Sequence, residues 1–132
     1  MYCEARLDRE TTCLAELREL LVRAWSRETS SQPERWTAAN PAFGQCAVTA
    51  LVVQDRLGGE LLRTLVGSGS HYWNRLPSGQ EVDLTRQQFS EGNVTFVGEV
   101  RSREYVLSHA ATARRYEALA RALGEWRECS DV

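Results

Sequence analysis

The chain contains no lysine and no isoleucine, and its 16 positive charges are all arginine. Codons for the two missing residues are rich in A or T, so the gap reads as a GC-rich genome rather than as a functional adaptation. The arginines are scattered, with Arg114-Arg115 the only adjacent pair, and 18 acidic residues outweigh them for a net charge of -2. A nucleic-acid binder concentrates positive charge on one face, so no nucleic-acid partner is expected. Long apolar runs are missing as well. The longest nearly unbroken one, residues 47–53, is seven residues and contains Thr49. A membrane span needs about twenty, so no membrane partner is expected. Met1-Tyr2-Cys3-Glu4 shows neither the basic nor the apolar stretch of a secretory leader, which points to a cytoplasmic location. Cysteines at 3, 13, 46 and 129 lack CxxC or Cys/His ligand spacing. Zinc sites use closely spaced pairs, so no metal is implied, and no organic cofactor either. In a cytoplasm the default for such cysteines is the free thiol.

What is present is an ordinary globular balance, 42% apolar and 26% charged over 132 residues, enough for one domain. The domain is expected to span 1–132, with 1–11 and 127–132 frayed. Leu14, Leu17, Leu21 and Trp25 recur at helical spacing, predicting an amphipathic helix over about 13–25 with Thr12 as its cap. The segment 29–45 then holds Ser30-Ser31, Pro33, Asn40-Pro41 and Gly44, an irregular stretch carrying Trp36 and Phe43. Long ordered loops in small domains are often functional. From Cys46 to Leu57 the chain is apolar on nearly every side and Gly58-Gly59 stops it, predicting a buried, central helix.

Beyond it the period changes to two. Residues 60–67, 71–76, 81–84 and 95–100 read as short strands, and 105–107 as a further one. Gly67-Ser68-Gly69-Ser70 and Pro77-Ser78-Gly79-Gln80 suit tight turns that pair successive strands antiparallel. A last helix is expected over about 111–126, with Tyr116, Leu119, Leu123 and Trp126 on one face. The order predicts an α+β domain, its central cysteine-bearing helix packed on a small antiparallel sheet.

Three residues fall where a cysteine nucleophile requires them. Cys46 opens the buried helix, where the helix dipole and unpaired backbone N–H groups favour an anion. His71 opens a strand and Asp83 lies on the next, so a hairpin brings base and orienting carboxylate within reach of the thiol. Each has a plainer role too. A free cysteine is at home in an apolar core helix, a hairpin histidine can bond a backbone carbonyl, and an aspartate can cap the turn formed by 85–89. His109 suits a helix cap or the surface, and Cys3, Cys13 and Cys129 read as incidental. Trp73 alternates with Tyr72, so one faces the core and the other the cleft or solvent. Arg86, Arg101 and Arg103 have the fork geometry to bind a substrate carboxylate, though solvated arginines are commoner.

Gly44-Gln45-Cys46-Ala47, His71-Tyr72-Trp73-Asn74 and Gly79-Gln80-Glu81-Val82-Asp83-Leu84-Thr85 resemble the Cys, His, Asp core of transglutaminase-like proteins. The Gly-Gln-Cys triplet is also similar to papain-like proteases. More closely, residues 44–55, 71–74 and 81–89, together with Trp36 and 101–105, resemble the small bacterial YunG-like family; the likeness spans about residues 25–107. It implies a papain-like or transglutaminase-like core and a catalytic Cys46, His71 and Asp83. The aspartate, where papain-like enzymes carry asparagine, fits the transglutaminase side. Papain-like enzymes place an oxyanion-binding glutamine several residues before the cysteine. Here Asn40 stands six positions earlier and Gln45 is adjacent, so Asn40, Gln45 and Trp36 are the candidates for that role, with Trp73 and Arg86 as further substrate-binding candidates. The implied activity is cysteine-dependent acyl transfer or amide cleavage on a small molecule or short peptide. A non-catalytic module binding a peptide or protein is the competing expectation, and oligomeric state is not encoded.

Overall fold

The structure, a computed structural model, describes residues 2–67, 69–85 and 97–124, with side-chain environments from residue 9 onward. Among these residues four helices and a four-stranded antiparallel sheet form an α+β fold.

Helix α1 runs from Tyr2 to Ala24 and does not wait for Thr12. Residues 2–11 are rich in glutamate, alanine, arginine and leucine, all strong helix formers, so the helix extends back through residues expected to fray. Glu10 is buried and accepts hydrogen bonds from the backbone N–H and hydroxyl of Ser78, tying this first part of α1 to a distant turn. Cys13 is buried and disulfide-bonded rather than a free thiol; its partner lies outside the described side chains. Residues 127–132 and Trp126 also lie outside the described residues.

Helix α2, Cys46–Leu57, matches the span read from the sequence. Its all-round apolarity has a direct cause. Val48, Val52 and Val53 meet Leu17, Leu21 and Trp25 around α1 and Leu119 of the last helix. Ala50 and Leu51 meet Leu61, Tyr72 and Val106 on the sheet side. Packed between helices and sheet, α2 has little face left for water. Trp25 and Asn74 satisfy their polar ends against it, through Thr49 Oγ1 and Ala50 O, both at 2.9 Å.

Strands β1 (Glu60–Val66) and β2 (Gly69–Arg75) form the predicted hairpin, with Thr64 opposite His71 and Leu62 opposite Trp73. Strand β3 is only Glu81–Val82, ending before the expected Leu84, and β4 is Glu99–Arg101; residues 95–96 lie outside the described part. The sheet order is β3-β2-β1-β4. Gly98 lets the chain cross close over the sheet: a Cβ there would meet the Trp73 ring and Leu62 Cβ at 3.0 Å or less.

Residues 105–107, expected to be extended, belong to helix α3 (Arg103–Leu107). Ser102 caps it by accepting from the Tyr105 N–H at 3.1 Å, and that local bond outweighs the strand preference of Tyr105 and Val106. Helix α4, Ala110–Leu123, stops at Gly124. No helix among the described residues is long and apolar enough to cross a membrane.

Candidate active site

The site begins with a helix that lacks a side-chain cap. Gln45 occupies the cap position of α2 without a capping hydrogen bond, and the first helical turn carries no acidic residue. Its amides therefore keep their capacity to meet an incoming negative charge. Cys46, the first residue of that turn, is half-buried and is a free thiol. Its Sγ lies 3.6 Å from the Ser70 carbonyl on β2.

His71 follows Ser70 and is 2% exposed. Its Nε2 lies 2.6 Å from Asp83 Oδ2, and the imidazole also hydrogen-bonds Cys46. Sheet register explains the meeting with the carboxylate. Asn74 pairs with Val82, so the next residue, Asp83, comes opposite Trp73, two positions from His71 and on the same side of the strand. Asp83 is itself fixed: Oδ1 accepts from both the backbone N–H and the hydroxyl of Thr85, each at 3.1 Å. Cys46, His71 and Asp83 are thus brought together in one hydrogen-bonded row.

Charge on that row follows from its neighbours. Burial, the largest single influence, works against a charged imidazole. The hydrogen bonds to Asp83 and Cys46 and the charges on both prevail, raising His71 from 6.5 to about 9. Trp73 braces the ring from one side: the two rings stack at 5.7 Å and 21°, and the indole N–H is anchored on Glu81. Both aromatic neighbours on β2 are buried, so neither takes the solvent position. Tyr72 lines the cleft, and Trp73 packs behind the histidine.

A cavity of about 330 Å³ opens beside Cys46. Its lining includes Cys46, Ala47 and Val48 of the α2 start, Ser70 and Tyr72 of β2, Arg63 of β1, and Tyr105, His109 and Arg115 from the α3–α4 side. His109 holds the α4 cap position and is exposed, stacking edge-on against Tyr105.

The oxyanion candidates are placed elsewhere. Gln45 is fully buried, with Nε2 donating to Ser26 O at 3.0 Å, and does not line the cavity. Asn40 is half-buried within its own loop, bridged to Thr37 and accepting from the Phe43 N–H. Trp36 donates to Pro41 O and carries the Arg27 guanidinium over its ring. These contacts pin the loop. Arg86 lies outside the described residues. Arg101 pairs with Glu99 and Arg103 with Asp55, so both have partners within the chain. Arg63, Arg115 and Thr85 were not singled out by sequence. Thr85 had a usable signal, the Val-Asp-x-Thr spacing; the two arginines reach the cavity only through tertiary packing. Among the described residues, no group of three His, Cys, Asp or Glu is placed to hold a metal.

Comparison with known proteins adds a family. The family described as "YunG protein" matches residues 13–127. The YunG protein of Bacillus subtilis (strain 168) is 40% identical over 76 residues, covering 58% of this chain and 63% of that relative. The match thus spans less than two thirds of the relative's length. No solved structure matches the chain.

Proposed function

The chain belongs to the YunG family, and on that premise we propose that it is a cysteine-dependent acyl-transfer enzyme with a papain-like or transglutaminase-like core. The observation that carries this reading is the hydrogen-bonded Cys46–His71–Asp83 row set at an uncapped helix start beside an open cavity. Paired with a protonated imidazole, Cys46 acts as a thiolate. Its sulfur bonds the carbonyl carbon of an amide or thioester, and the negative oxygen meets backbone amides of the first α2 turn. The C–N or C–S bond then breaks, and His71 gives its proton to the departing amine or thiol. Water, or an amine, adds to the resulting thioester, returns a proton to His71 and releases the acid or the new amide. Asp83 keeps the ring oriented and stabilises its charged form throughout.

The cavity suits a small molecule or short peptide. The test is intact-mass analysis after incubation with a set of aryl esters and acyl thioesters. An acyl mass increment mapped to Cys46, released by hydroxylamine and absent from Cys46→Ala, is expected. Absence of any such adduct, with Cys46 unreactive to every donor, would favour the non-catalytic binding module.

A further inference from the structure

The cavity beside Cys46 is strongly biased in charge. Arg115 reaches it from α4 and Arg63 from β1. Arg115 donates from one terminal nitrogen to Thr112 Oγ1 at 3.1 Å, while its Nε is buried without a hydrogen-bond partner. Arg63 uses its Nε on Ser70 Oγ at 2.9 Å. Among the described residues no carboxylate pairs with either guanidinium, in contrast to Arg75, Arg101 and Arg103, which hold Glu60, Glu99 and Asp55.

A partly buried guanidinium with an idle donor and no carboxylate partner among the described residues is costly to keep. Burial does lower the Arg115 pKa, with the Cys46 charge opposing and Arg114 reinforcing that effect. Yet a guanidinium starts so high that it stays charged. Its planar fork matches a carboxylate.

We propose that this cavity is an anion subsite, in which Arg115, assisted by Arg63, holds a carboxylate of the acyl donor and so selects an acidic substrate. Only the word "substrate" rests on the acyl-transfer reading; the anion subsite rests on the cavity and its two arginines, neither of which pairs with a carboxylate among the described residues. The proposal relocates substrate recognition from the arginines of the β4–α3 stretch, which the fold uses internally, to α4 and β1.

Two alkylating agents that differ in charge separate the subsite from the nucleophile. Iodoacetate and iodoacetamide both lose iodide as the sulfur–carbon bond forms, but only iodoacetate presents a carboxylate. Rates at Cys46 are followed by peptide mass and divided by those of a cysteine-containing peptide. The iodoacetate-to-iodoacetamide ratio is expected to exceed the peptide's by about tenfold, the order of one charge-assisted pair, and to decline with added salt. Arg115→Gln should return the ratio to the peptide value, and Arg63→Gln should lower it in part. A wild-type ratio equal to the peptide's overturns the subsite. So does an Arg115→Gln variant in which both rates fall together with the ratio retained, since Arg115 would then act on the thiolate alone. A raised ratio with iodoacetamide no faster than in the peptide would keep the subsite and count against the activated nucleophile.

Discussion

At His71, burial and two bonded partners pull proton affinity in opposite directions, and the partners prevail. Its folded-state value of about 9 lies above the ordinary 6.5, so the charged form is favoured by folding. The stability this contributes is fully present below pH 6.5 and is lost as pH rises through about 9. At about 1.4 kcal/mol per pH unit, the loss is on the order of 3 kcal/mol. Denaturant unfolding at pH 6 and pH 9.5 reads it: the wild type should lose more stability across that span than His71→Gln, and parallel behaviour of the two would contradict the assignment. Asp83 acts through the ring. In Asp83→Asn the side-chain oxygen can still accept from Thr85, so the fold should survive while acyl transfer drops by about 10²- to 10⁴-fold. Unchanged turnover would remove Asp83 from its role.

Among the elements, the loop between α1 and α2 sets where Cys46 emerges. It closes on itself through Ser31 N–H to Gly44 O and Ser30 Oγ to Phe43 O, both at 2.9 Å. Gly44 sits at φ +73, where a side chain is strained, and a Cβ would collide with the Ser30 hydroxyl. Gly44→Ala should therefore cost about 1–3 kcal/mol, measured by denaturant unfolding, and an effect below 0.5 kcal/mol would show that the loop yields freely.

Much of this level was legible in the sequence. The apolar run from Cys46 with its Gly58-Gly59 stop marked α2, and the glycine and proline turns marked the β1–β2–β3 order, because both signals are local. Two features were hidden. Helix α3 depends on one cap bond from Ser102, which outweighs the alternation of 105–107. The start of α1 follows propensity and the burial of Glu10 against Ser78, not the apolar stripe that pointed to Thr12. Gln45 and Trp36 have the polar groups of oxyanion donors, but their side-chain N–H groups donate to Ser26 O and Pro41 O, and Asn40 is not part of the cavity lining; spacing alone reveals neither.

Across the whole molecule, α2 is held between two apolar clusters, and the site takes parts from both sides of it. Cys46, His71 and Asp83 come from elements close in sequence, so their grouping could be read from the hairpin. Arg63 and Arg115 join them only once β1 and α4 have packed, and no spacing rule links them beforehand. Arg103 braces that packing. It donates to Leu51 O, Gln54 Oε1 and Tyr116 OH and pairs with Asp55 at 2.6 Å, joining α3 to α2 and α4. Arg103→Ala should lower unfolding free energy by roughly 1–3 kcal/mol, and an unchanged denaturation midpoint would contradict this bracing role.

The central claim, that Cys46 is a nucleophile activated by His71, is tested most directly by the second-order rate of iodoacetamide alkylation of Cys46 at pH 6.5. The rate should exceed that of a cysteine-containing peptide by about tenfold or more and fall to the peptide value in His71→Ala; a wild-type rate no faster than the peptide's, or one unaffected by the loss of the imidazole, would contradict the account.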